Sequence, residues 1–254
     1  MDVVSLYTII PHTAGLAAIK HALLESTAYS GPPISFVLEL LELSLTLNYF
    51  RFENNFYLQT SGTAMGAAMA PAYANLFMHQ YEQCHIIPWF AENFFLFKRY
   101  IDDMLIIWRG SQDEFIEMVN ELNALDSPVR FTYTIHPNTI QFLDIELRLH
   151  NNQLDFTLFR KPTDKNTLLH YDSCHPPSMK KSLPISQFCR VLRNNSDICA
   201  AECQLEEMWL RFKERGYPDR LLQEALSIAR QRIADSVTTQ ICFIYLVLDF
   251  LTVT

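Results

Sequence analysis

The sequence predicts an α+β fold: a ferredoxin-like antiparallel sheet with helices on one face, followed by a mostly helical region. Three observations carry this. Through residues 1–150 the pattern runs strand, helices, hairpin, helix, hairpin, helix, strand, which is a split β-α-β-β-α-β plan with insertions. From residue 164 onward the strand signals stop and long helical periods replace them. Finally, 49% of the 254 residues are hydrophobic and only six are glycine, an ordered composition with enough apolar side chain for a core.

Each element has its own signal. "DVVSLYTIIP" (2–11) is β-branched and apolar and reads as a buried strand closed by Pro11. In "HTAGLAAIKHALLES" (12–26), Leu16, Ile19, Leu23 and Leu24 fall at helical spacing. "GPP" at 31–33 breaks the chain, and "ISFVLELLELSLTLNYF" (34–50) is an amphipathic helix. "FRFENNFYLQ" (50–59) alternates around Asn54-Asn55, a hairpin signal. Residues 61–87 start as a small-residue loop and become a helix, with Pro71 near its first turn. "FFLFKRYIDDMLIIW" is strand, tight turn, strand, and "GSQDEFIEMVNELNAL" (110–125) opens with a capping box from Ser111 to Glu114. Strands are expected at 129–135, 140–150 and 153–163, then loops and helices through 235.

The bulk numbers bound the function. A formal charge of −8 is the wrong sign for a general nucleic-acid binder, so any such binding has to come from local basic patches. The six cysteines form no C-x-x-C pair, and "HYDSCH" (170–175) lacks the paired spacing of a zinc site. Reduced thiols in an intracellular protein fit this usage. No signal peptide is expected, and the apolar run 241–248 near the chain end falls far short of the roughly 20 residues that span a bilayer. It reads as a strand or an unnatural end that docks poorly.

Asp102 and Asp103 stand side by side in the apolar stretch "FKRYIDDMLIIW" (97–108). Adjacent aspartates repel, and burying either one without a partner is costly. A tight turn would lift both to a sheet edge, where Asp2, at the start of another strand, could join them. Three converging carboxylates make sense if Mg²⁺ neutralises them, since that ion takes oxygen ligands and substrate phosphates. On the "DD" alone, a solvated acidic turn is the simpler reading.

The company these aspartates keep changes the balance. "DVVSLYTIIP", then "SGTAMGAAMAP", then "RYIDD", then "IQFLDIEL" stand in the order of the motifs of a reverse transcriptase palm, and the sequence most resembles the Penelope-like retroelement family. The resemblance covers about residues 2–230 and implies a polymerase palm over 1–150, a connection and thumb-like region over 151–237, and an unmatched apolar tail over 238–254. It implies that Asp2, Asp102 and Asp103 are catalytic and hold two Mg²⁺ ions. It places Tyr7 at the steric gate against a ribose 2′-hydroxyl, and Met65 and Gly66 beside the incoming nucleotide. Phe142 and Leu143 match the primer grip, and Lys161, Arg190 and Arg193 lie where template–primer phosphates pass.

The implied partners are an RNA or DNA template–primer and deoxynucleotides, with no membrane and no stable protein partner, and a nuclear location if the protein functions. The departures are Met65-Gly66 where many relatives carry Gln-Gly, and "AAMAP" where a serine and proline are common. On this reading the fingers, which supply Lys or Arg to the triphosphate, are missing before Asp2. The expectation is therefore that this chain alone does not extend a primer at a useful rate. The alternative is an inert retroelement remnant or a weak nucleic-acid- or protein-binding module.

Overall fold

The computed structural model describes residues 1–150 and 153–248, with the side chains of all but 150, 153 and 236–248. The chain divides into two units, Met1–Ile135 and His136–Thr254.

In the first unit β1 (Asp2–Val3), β4 (Phe94–Tyr100), β5 (Asp103–Trp108) and β6 (Phe131–Thr132) form one sheet in the order β4-β5-β1-β6. Every neighbouring pair is antiparallel. With α6 (Gln112–Ala124) crossing between β5 and β6, this is the ferredoxin-like order expected from the sequence. Between β1 and β4 the chain inserts α1 (Leu6–Ile9), α2 (His12–Glu25), α3 (Ile34–Thr46), the hairpin β2 (Tyr49–Phe52) and β3 (Asn55–Leu58), α4 (Ala70–Tyr81) and α5 (Ile87–Phe90). A π-helical turn, Glu82–Ile86, joins α4 to α5. The sheet packs Val3, Met104 and Phe131 against Tyr73, Ala74, Phe77 and Met78 of α4 and Met118, Val119 and Leu122 of α6. The capping box of α6 is present as read, Glu114 N–H donating to Ser111 Oγ and Ser111 N–H to Glu114 Oε2.

The strand expected over 2–11 is two residues long. Ser5 takes a left-handed conformation at φ 53° and turns the chain into α1. The buried residues Val3, Leu6 and Ile10 explain why. They are spaced three and four apart, the period of a helix and not of a strand, so packing overrides the β-branched propensity. The strand expected over 129–135 likewise shortens to Phe131–Thr132. In the hairpin the turn falls at Glu53-Asn54, one residue earlier than the expected Asn54-Asn55, with Phe52 paired to Asn55 and Glu53 at φ 53°. Arg51 holds it by donating to Glu53 C=O and Asn54 Oδ1.

The second unit carries a three-stranded antiparallel meander, β7 (Thr139–Phe142), β8 (Ile145–His150) and β9 (Gln153–Leu158), then α7 (Pro177–Arg193), α8 (Ile198–Glu214) and α9 (Asp219–Leu248). Its core joins Leu158 of β9 to Phe188, Leu205, Met208, Phe212, Tyr217 and Leu222. The strand expected over 153–163 stops at Leu158, and α9 continues to Leu248 where a strand or an unnatural end is expected. Whether residues 241–254 dock lies outside the described side chains. Among the described residues no helix is long and apolar enough to cross a membrane.

Candidate functional site

The sheet register brings the predicted carboxylates together. Asp2 of β1 is paired with Asp103 of β5 on one side and with Thr132 of β6 on the other, and Asp103 is paired in turn with Tyr100. Directly paired residues share a sheet face. Tyr100, Asp103, Asp2 and Thr132 therefore form one row across the sheet, opposite the face that Val3, Met104 and Phe131 bury. Asp102 lies in the turn beside this row, and its carbonyl accepts from Val3 N–H at 3.1 Å. Met104 N–H donates to Met1 C=O at 2.7 Å and closes the pairing of β1 with β5.

The turn itself is strained. Ile101 sits at φ 57°, a left-handed conformation that a β-branched residue rarely adopts. It holds because the surroundings fix it from two sides. The Ile101 side chain packs on the first core, and its carbonyl accepts from Arg99 Nη1 at 3.0 Å. Arg99 is in turn paired with Glu82 in the π-helical turn and donates to Asn75 Oδ1 at 2.8 Å. Side chains of Arg99 and Glu82 are only 11% and 9% exposed. Sequence reading missed this pair. The one hint is the arginine three residues ahead of the aspartates; the partner lies 17 positions away, in a π turn that no local signal marks.

Partial burial raises the Asp2 carboxyl above the ordinary aspartate range, and the charges of Asp102 and Asp103 push it the same way. A set of oxygen donors that repel one another suits a hard divalent cation. Among the described residues, however, no group of three His, Cys, Asp or Glu side chains is close enough together to hold a metal ion as it stands. The donor chemistry fits Mg²⁺, and the side chains are not closed around a position for it.

Of the predicted nucleotide-side residues, Tyr7 touches the loop that carries Met65 and Gly66 at Gly62 and Thr63. Tyr7, half-buried in α1, accepts from Thr63 N–H at 2.7 Å through its carbonyl. His12 Nε2 lies 2.8 Å from Gly62 C=O. Gly62, at φ 72°, leaves no room for a side chain, because a Cβ would lie 2.6 Å from Thr8 Cα and Tyr7 O. The loop that starts at Ser61 is thus docked on α1, Met65 standing 73% exposed. Gly66 is different: a Cβ there would meet open space, and its φ of 94° alone favours glycine.

The primer-side candidates all belong to the second unit. Phe142 is half-buried at the end of β7, and Leu143 is 44% exposed at φ 54°. Next to them Asp144 Oδ2 accepts from Arg190 Nε at 2.8 Å and from Asn194 Nδ2 at 3.3 Å, which fastens the β7–β8 turn to α7. Lys161 and Arg193 are exposed.

Comparisons with known proteins add two findings. A family model described as an animal helix-turn-helix domain matches residues 167–227, which include α7, α8 and the start of α9. No curated protein matches the sequence. Among solved structures, telomerase from Candida albicans, in complex with a TWJ fragment of telomeric RNA, is similar with a TM-score of 0.51 at 12% identity. The likeness covers 91% of this chain and 39% of that one. At that identity it is a likeness of fold: the architecture is reverse-transcriptase-like, and the chain spans well under half of the telomerase chain it matches.

Proposed function

We propose that this chain carries a reverse-transcriptase-type palm of the Penelope-like kind, whose reaction is template-directed attack of a primer 3′-hydroxyl on the α-phosphate of a deoxynucleotide. The observation that carries the reading is the pairing of Asp2 with Asp103 in the sheet beside the strained turn that bears Asp102. Those three carboxylates would hold two Mg²⁺ ions. When bound, such ions stabilise the charge on the attacking oxygen and on the departing pyrophosphate. The chain's own part is positioning. The Arg99–Glu82 pair fixes the turn. Tyr7, against which the loop from Ser61 docks, borders the sugar side, and Met65 and Gly66 border the base. The likeness to a telomerase that holds RNA and the helix-turn-helix match over 167–227 both favour a nucleic-acid partner.

A second reading, a binding module without catalysis, is favoured by one observation: the formal charge of −8 is the wrong sign for a channel that holds a template–primer. Primer extension on an RNA template with Mg²⁺ separates the two. Extension by the wild-type chain that vanishes in the Asp102→Asn, Asp103→Asn double variant supports the polymerase. Equal background from both proteins, with template–primer still bound, supports the binding module.

A further inference from the structure

α3 is apolar on two opposite faces. Leu38, Leu41 and Leu45 pack on the first core. Phe36, Leu40, Leu43 and Leu47 lie on the outer face and are 49%, 49%, 52% and 65% exposed. These four follow one another at spacings of four, three and four residues, which is the seam of a heptad pattern. At 3.6 residues per turn such a seam runs as a narrow stripe along the helix axis, the shape that takes a second helix laid lengthwise. The apolar surface continues past the helix end. Tyr49, two residues beyond Leu47, opens the β2–β3 hairpin, and every residue of both its strands is exposed. An apolar surface of this extent marks an interaction site, whereas single exposed leucines would need no explanation.

Charge selects the occupant. Residues 21–50 contain no Lys or Arg, and their carboxylates are Glu25, Glu39 and Glu42. Glu39 and Glu42 belong to α3, are exposed, and border the outer stripe on the same side, as the helical repeat dictates. Neither carboxylate has an ion-pair partner among the described residues. A second copy of the chain would lay the same face here and bring no cation to them. A nucleic-acid backbone or an anionic bilayer would be repelled. A helix with Lys or Arg along one edge of its own apolar stripe answers both the seam and the carboxylates.

We propose that the outer face of α3 is a docking site for an amphipathic α-helix of another polypeptide, apolar along a heptad seam and basic along the edge that meets Glu39 and Glu42. This goes beyond the polymerase reading and does not depend on it. The sequence resemblance implies no stable protein partner, and this face argues for one.

The test uses the full chain and a fluorescently labelled synthetic helix of about three heptads, with leucine along the seam and lysine on its flanks. A second peptide carries glutamate in place of every lysine. Binding is followed by anisotropy for wild type, the Leu40→Gln, Leu43→Gln variant and the Glu39→Gln, Glu42→Gln variant. The leucine variant keeps the wild-type Tm, because both side chains are exposed, and binds the basic helix at least tenfold more weakly. The glutamate variant binds it about threefold more weakly and with less salt dependence. Wild type binds the acidic helix more weakly than the basic one. No binding of the basic helix by wild type, or equal binding by wild type and the leucine variant, overturns the site. Equal affinity for the two peptides overturns the basic partner. A lowered Tm in the leucine variant overturns the claim that this face is unpartnered within the chain. A wild-type dimer in sedimentation that the leucine variant dissociates overturns the assignment in favour of a second copy.

Discussion

At the scale of single residues, Arg99 is the group on which the candidate site turns. Its guanidinium satisfies a buried carboxylate, a side-chain amide and the carbonyl of the strained Ile101. Removing one partner of a buried pair leaves an uncompensated charge, and that costs more than removing both. Arg99→Leu is expected to lower stability by about 3–5 kcal/mol. The Arg99→Leu, Glu82→Leu double variant is expected to recover most of that, measured by urea unfolding. If the double variant is as unstable as the single one, the pair is not what holds the turn. The aspartates themselves were legible in the sequence, because two adjacent charges in an apolar run demand an explanation. The anchor was not legible, because nothing local links Arg99 to Glu82. The same holds for Asp144 and Arg190, 46 positions apart.

At the scale of elements, the helices pack through contacts that composition hides. Gly15 lies inside α2, where replacing glycine by alanine ordinarily stabilises by about 1 kcal/mol. Here a Cβ would sit 1.8 Å from the Tyr73 hydroxyl and 2.1 Å from Cζ of the ring. Tyr73 is 1% exposed, so it has little room to swing away. Gly15→Ala is therefore expected to destabilise by about 1–3 kcal/mol by overpacking. A stabilised variant in thermal unfolding would show that α2 and α4 can separate at no cost.

Patterning served some elements and misled at others. The capping box located the start of α6, and Pro71 sits in the first turn of α4 as read. The sequence pattern predicts no helix over 177–193, where Pro184 falls in the middle. Proline removes one hydrogen bond there, and the burial of Phe188, Cys189 and Val191 offsets it. Helical spacing predicts one apolar face for α3, and the structure has two. Leu38, Leu41 and Leu45 face the core, while Phe36, Leu40, Leu43 and Leu47 are 49–65% exposed. A hydrophobic residue at helical spacing says that a face exists, not which way it points.

At the scale of the whole chain, two units with separate cores divide the candidate chemistry between them. The carboxylates, Tyr7 and the loop from Ser61 belong to the first, and the primer-side residues belong to the second. The strand order β4-β5-β1-β6 was within reach of the sequence because the motifs occur in palm order. The register that sets Asp2 against Asp103 was not, since it depends on where a two-residue strand docks. The central claim is that Asp2, Asp102 and Asp103 act as one divalent-cation site. The most direct test is a Mn²⁺ titration followed by electron paramagnetic resonance, with wild type beside Asp2→Asn and the Asp102→Asn, Asp103→Asn double variant. The account predicts saturable binding by wild type that weakens at least tenfold in each variant, while Mg²⁺ competes for the same sites. Unchanged Mn²⁺ binding in all three proteins, or none in wild type, would contradict it.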